Sequence, residues 1–133
     1  MNRLVIPSDI YSDMLEHCAS YFPDEGCGIL AGCNDRITRI YKMTNIDRSP
    51  SSYLMDPAEQ FRVMKDMRRE GLRIIAVFHS HPVSEPKPSQ KDRDLAFYDA
   101  AAYVIVGLAS GIPEVRAFMI REQEVSEISV EVV

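Results

Sequence analysis

The chain is 133 residues long, carries a formal net charge of −5 at pH 7 and is 46% hydrophobic. That length suits one domain with its own core, read here as spanning residues 1–133, and the acidic balance argues against nucleic acid, whose affinity comes from Lys and Arg on phosphates. No apolar run approaches the roughly 20 residues of a membrane span, and Met1–Pro7 is too short for a secretory leader, so the expected location is cytoplasmic. The cysteines Cys18, Cys27 and Cys33 are odd in number and form no C-x-x-C, which excludes a disulfide framework and a zinc ribbon.

Residues 2–6 read as a short strand. Pro7-Ser8 then opens a helix with Ser8 as its expected N-cap. Ile10, Met14 and Cys18 recur every four residues, and Leu15 and Phe22 widen that stripe until Pro23 stops it. Cys27–Ala31 is a short apolar strand, Gly32–Asp35 a turn, and 36–44 a second strand closing a hairpin. Asn45–Ser52 is a polar loop, and Tyr53–Met55 a short strand. This segment is a candidate edge for an extended substrate tail.

Asp56-Pro57-Ala58-Glu59 carries the marks of a helix start, with Asp at the cap and Pro at the first position. Phe61, Met64 and Met67 are its expected buried stripe, and Gly71 its end. Ile74–Phe78 is apolar on both faces, the pattern of a central strand covered on both sides. Pro82–Pro88 holds three prolines and is irregular; Ser89 caps a helix expected to reach about Asp99. Tyr103–Gly107, Glu114–Arg121 and Glu124–Val132 are the remaining strands. The elements alternate first and finish as strands, which predicts a mixed sheet with helices on its faces.

Side chains two apart on a strand share a face, so His79 and His81 point together at the end of the central strand, while Ser80 turns away. Asp92, in the first turn of the next helix, returns a carboxylate toward them. Two imidazoles and one carboxylate make a catalytic zinc set with a position left for water. The reaction also needs a proton acceptor, and Glu25, in the loop before the first apolar strand, is the best candidate. Alone, each piece has a plainer reading: Ser89-x-x-Asp92 is close to a helix capping box, Glu25 resembles a solvated loop acid, and Cys27 reads better as a buried strand residue than as a fourth ligand.

Taken together, Glu25, His79-Ser80-His81, seven residues and Ser89-x-x-Asp92 resemble the JAMM (MPN+) metalloprotease motif in every residue type and spacing. Pro23–Gly32 and Pro82 add to the match with the small, single-domain prokaryotic members of Mec+ type. The resemblance implies a single-domain α/β fold, a cytidine-deaminase-like mixed β-sheet with helices packed on its faces. It implies one Zn2+ per chain on His79, His81 and Asp92, with Glu25 as general acid/base and Ser89 as donor to the oxyanion. The implied substrate is a ubiquitin-like or sulfur-carrier protein with a Gly-Gly tail, cleaved at the amide next to its terminal glycine. The chain lacks the long insertions of larger ubiquitin-specific relatives, which favours a simpler carrier.

Three other readings stand beside this one. The first is a catalytically inactive scaffold of the same fold, although inactive relatives usually lack the ligands kept here. The second is another hydrolase of the broad fold. RadC-like proteins carry Asn between the histidines where Ser80 stands, and zinc deaminases need a Pro-Cys-x-x-Cys that is absent. The third is an iron oxygenase with a two-His, one-carboxylate set.

Overall fold

The computed structural model describes residues 1–133. In chain order it contains β1 (Arg3–Ile6), α1 (Ser8–Tyr21), β2 (Cys27–Cys33), β3 (Arg36–Met43), α2 (Pro57–Glu70), β4 (Arg73–His81), α3 (Gln90–Asp94), β5 (Ala102–Gly107), β6 (Glu114–Arg121) and β7 (Glu124–Val132). All seven strands form one sheet in the order β1-β7-β6-β5-β4-β2-β3. Only β1/β7 and β4/β5 are parallel; the other neighbours are antiparallel. This is the expected mixed α/β sheet, with β4 near its middle.

Period-two alternation divides the core into two layers. Ile10, Met14 and Cys18 of α1 pack with Leu30, Phe78, Val104 and Met119 on one face. On the other, Met67 of α2 packs with Cys27, Ile29, Val77, Tyr103 and Phe118. Phe78 belongs to the α1 face and Val77 to the α2 face. His79 and His81 therefore continue the α2 face beyond Val77, and Ser80 continues the α1 face beyond Phe78.

Several local expectations are corrected. Pro7 is the N-cap of α1, with no side-chain cap, and Ser8 is the first helical residue. Its amide is satisfied instead by the Val133 carbonyl at 2.8 Å, so backbone just past β7 takes the place of a side-chain cap. Phe22 does not extend the buried stripe; it is 55% exposed beyond the helix end. In α2 only Met67 is buried, whereas Phe61 and Met64 are 65% and 46% exposed. The helix turns those two side chains over a cavity rather than onto the sheet.

The helix after Ser89 stops at Asp94, not near Asp99. The amide of Tyr98 donates to the Tyr103 hydroxyl at 3.0 Å, outside any helical ladder, and Leu95, Phe97 and Tyr98 become exposed walls of the same cavity. Tyr53–Met55 is reduced to a single bridge, Asn45 to Met55. The Leu54 amide donates to Asn45 Oδ1 and its carbonyl accepts from Ile46, so the chain offers no free edge at Leu54.

Candidate metal centre and active site

The antiparallel register of β2 against β4 ends with Cys27 opposite His79. One step on, the Ser80 amide donates to the Gly26 carbonyl at 3.0 Å and the Gly26 amide donates to Ser80 Oγ at 2.8 Å. A further step of the same register aligns Glu25 with His81. Alternation gives Glu25 the side of the sheet that Cys27, His79 and His81 share. The strand end thus carries both imidazoles and the loop acid on one face.

Asp92 reaches the same place through α3. Ser89 Oγ accepts from the Asp92 amide at 3.0 Å, and Asp92 Oδ2 accepts from the Ser89 amide at 3.0 Å. This is a complete capping box, and it fixes the carboxylate that faces the histidines. Asp92 Oδ2 lies 3.2 Å from His79 Nε2 and 3.1 Å from His81 Nε2, and the two Nε2 atoms are 3.1 Å apart.

These three atoms lie close enough together to hold one metal ion. His81 Nδ1 donates to the Glu85 carbonyl at 2.7 Å, which leaves Nε2 with its lone pair facing inward. A tetrahedral ion with bonds of about 2.0–2.1 Å spaces its ligands about 3.3 Å apart, close to the separations found here. The donor set fits a divalent metal ion.

Electrostatics agree with this arrangement. Burial lowers the His79 pKa, and the hydrogen bond that Asp92 accepts from it only partly offsets this. For His81 burial acts in the same direction, yet Asp92 and the Glu85 carbonyl outweigh it and raise the pKa. Burial opposes the ionisation of Asp92, but hydrogen bonds with both histidines hold it well below the ordinary carboxylate range.

Glu25 is the outlier. It is 3% exposed, and its Oε1 has no hydrogen-bond partner. Burial pushes its pKa up to about 8; the His81 charge opposes that rise and the Asp92 charge adds to it. A buried carboxyl with an unused oxygen, beside a cluster of metal-ligand type, is the arrangement a proton-transfer group requires.

The backbone around Glu25 is held from several sides. Its amide donates to the Ser49 carbonyl at 2.8 Å, and its carbonyl accepts from Asn45 Nδ2 at 2.9 Å. Tyr53, on the loop that Asn45 organises, stacks on His79 with ring centroids 4.6 Å apart. From the sequence Ser80 has no role, and Asn45 and Tyr53 figure only within the segment expected to be an edge for a substrate tail. Ser80 had a usable signal, since a hydroxyl on the second buried face of a central strand needs a partner. Cys27 lies in the α2-side core and outside the ligand set, in line with a buried strand residue. Cys18 is buried and Cys33 exposed.

A cavity of about 530 Å³ opens between α2 and the segment after α3. Its walls include Tyr53, Leu54, Phe61, Met64, Leu95 and Phe97. Tyr53 belongs to this cavity and also to the stack on His79, so the apolar space adjoins the ligand cluster. No helix is long and apolar enough to cross a membrane.

Residues 7–121 match the family described as prokaryotic homologs of the JAB domain. The chain is 38% identical over 133 residues to a CysO-cysteine peptidase of Mycobacterium tuberculosis, covering 98% of this chain and 91% of that protein. It is 34% identical over 125 residues to a probable TtuB-protein conjugate cleaving protease of Thermus thermophilus, covering 92% and 80% respectively. The solution structure of a protein from Desulfitobacterium hafniense superposes with a TM-score of 0.85 at 34% identity, covering 97% of this chain and 92% of that one. The chain therefore belongs to the family of prokaryotic homologs of the JAB domain.

Proposed function

We propose that this chain is a cytoplasmic, zinc-dependent peptidase or isopeptidase. Its substrate is a ubiquitin-like or sulfur-carrier protein with a Gly-Gly tail, cut at the amide next to the terminal glycine. The observation that carries this reading is the convergence of His79, His81 and Asp92 within 3.1–3.2 Å of one another on the face that also holds the buried Glu25, whose Oε1 has no hydrogen-bond partner. Two nitrogens and one carboxylate oxygen favour zinc with an open position.

When bound, a divalent ion supplies Lewis acidity, acidifying water and polarising the scissile carbonyl. Glu25 takes the proton of the attacking water and delivers it to the leaving amine. Its pKa near 8 in the metal-free site belongs to a group able to hold and release a proton near neutral pH, and a nearby cation draws it toward the carboxylate form. Ser89 Oγ spends its acceptor capacity on the Asp92 amide, which leaves its hydroxyl proton for the oxyanion. The helix-capping and oxyanion roles of Ser89 are compatible.

The relatives' names, a CysO-cysteine peptidase and a TtuB-protein conjugate cleaving protease, support a carrier protein as the acyl side of the bond. The apolar cavity walled by Phe61, Met64 and Phe97 suits a side chain of the carrier's tail a few residues before the glycines. The test is mass spectrometry of the chain incubated with a panel of Gly-Gly-tailed carriers extended by several residues. Loss of the extension from at least one carrier, abolished by a chelator, is expected. Intact extensions on every carrier would contradict the proposal and favour the inactive scaffold.

A further inference from the structure

Asn45 follows β3 at the entrance to the 45–55 loop and is 1% exposed. A buried side-chain amide has two donor hydrogens and one acceptor oxygen to satisfy. All are used. Nδ2 donates to the Glu25 carbonyl at 2.9 Å and to the Ser52 carbonyl at 3.1 Å. Oδ1 accepts from the Asp47 amide at 3.0 Å and the Leu54 amide at 2.9 Å. No other contact of comparable burial joins the Glu25 carbonyl to this loop.

The two arms have different targets. The acceptor arm folds the 45–55 loop on itself and so sets Tyr53, the ring stacked on His79. Of the two donor hydrogens, one stays in the loop on the Ser52 carbonyl and the other reaches out of it and holds the backbone that carries Glu25. The remaining backbone ties of Glu25 and Gly26 run to Ser49, in the same loop, and to Ser80, on β4. Glu25 is thus suspended between the strand that presents His79 and His81 and the loop that walls them, with Ser49 holding its amide and Asn45 its carbonyl on the loop side.

We propose that Asn45 is a positioning residue: one donor hydrogen of its amide fixes the Glu25 backbone so that the carboxyl points at the ligand cluster, while its second donor, to Ser52, and its carbonyl oxygen tie the same fixation to the Tyr53 wall. It touches neither substrate nor metal, and acts through Glu25. A donor hydrogen bond in a buried site is costly to lose, because its partner carbonyl is left unsatisfied. The polarity of the amide is therefore what matters, not its size. The proposal rests on the hydrolase reading above for its catalytic part and on the hydrogen-bond pattern alone for its structural part.

Asn45→Asp separates the arms, since it keeps an acceptor for Asp47 and Leu54 and faces two carbonyls with an acceptor. Asn45→Ala removes both arms and serves as a second variant if the aspartate fails to fold. With zinc bound and a cleaved carrier as substrate, both variants are expected to lose at least twentyfold in kcat with KM within threefold and zinc content unchanged. Amide hydrogen exchange, which needs no activity, is expected to rise at least tenfold at Glu25 and Gly26 in both variants. Leu54 and Asp47 are expected to keep their protection in Asn45→Asp and lose it in Asn45→Ala.

Parent-like exchange at Glu25 and Gly26, or a kcat within threefold of the parent, would overturn the proposal. So would a loss expressed in KM or in zinc content alone. A parent chain that cleaves no carrier would strike the hydrolase reading, and the exchange contrast would still decide whether Asn45 holds the Glu25 backbone.

Discussion

The Gly26 amide donates to Ser80 Oγ at 2.8 Å, and through this bond the loop carrying Glu25 is fastened to the residue lying between the two histidines. Ser80 is fully buried on the α1 face, so its hydroxyl reaches Gly26 from the side of the strand opposite His79 and His81. Ser80 thus ties the Glu25 loop to β4 from the face opposite the two histidines.

Ser80→Ala leaves the buried Gly26 amide without its acceptor. The expected cost is about 1–3 kcal/mol of stability, read as a lower urea midpoint at unchanged slope. Turnover is expected to fall while zinc stays bound. Unchanged stability and turnover would show that Gly26 finds another acceptor.

Glu25 makes a pH-dependent contribution of defined sign. Its folded pKa of about 8 lies above the ordinary value of 4.5, so the fold favours the neutral acid. That contribution is complete below about pH 4.5 and is lost as pH rises through 8. In chelator-stripped protein, Glu25→Gln is therefore expected to gain stability relative to the parent between pH 5 and 8, at up to about 1.4 kcal/mol per pH unit. Urea midpoints of the two proteins across that range check it, and a pH-independent difference would contradict the buried, neutral state.

The strands and the meeting of His79, His81 and Asp92 were legible because alternation and spacing are local properties. Ile74–Phe78 announced a doubly covered strand, and the same alternation paired His79 with His81. The roles of Phe61, Met64 and the 95–98 segment were not legible. Helical periodicity marks an apolar face without saying whether it meets a sheet or a cavity, and capping signals start a helix without setting its length. Asn45 was hidden for a related reason: one polar residue in a polar loop looks solvated until the chain folds around it.

Gly28 is a position where the sheet has no room for a side chain. A Cβ there would stand 2.3 Å from Phe78 Cζ and 2.5 Å from the Tyr41 carbonyl oxygen. Gly28→Ala is expected to destabilise by about 1–3 kcal/mol through overpacking, measured by chemical denaturation. Parent-like stability would mean that both Phe78 and the β3 backbone yield freely.

Phe61 is 65% exposed on the cavity wall, so Phe61→Asp should change stability little, by about 0.5 kcal/mol or less. For carrier cleavage we expect kcat/KM to fall severalfold, mainly through KM, with zinc content unchanged. An unaltered KM would remove the cavity from the path of the carrier's tail.

In the proposed site His79, His81 and Asp92 hold one divalent ion beside Glu25. Elemental analysis of protein purified without added metal tests it most directly. Close to one zinc per chain is expected in the parent and in Glu25→Gln, and less than a tenth in Asp92→Ala and His81→Ala. A parent chain with under a third of a zinc, or an Asp92→Ala chain that retains its full complement, would contradict it.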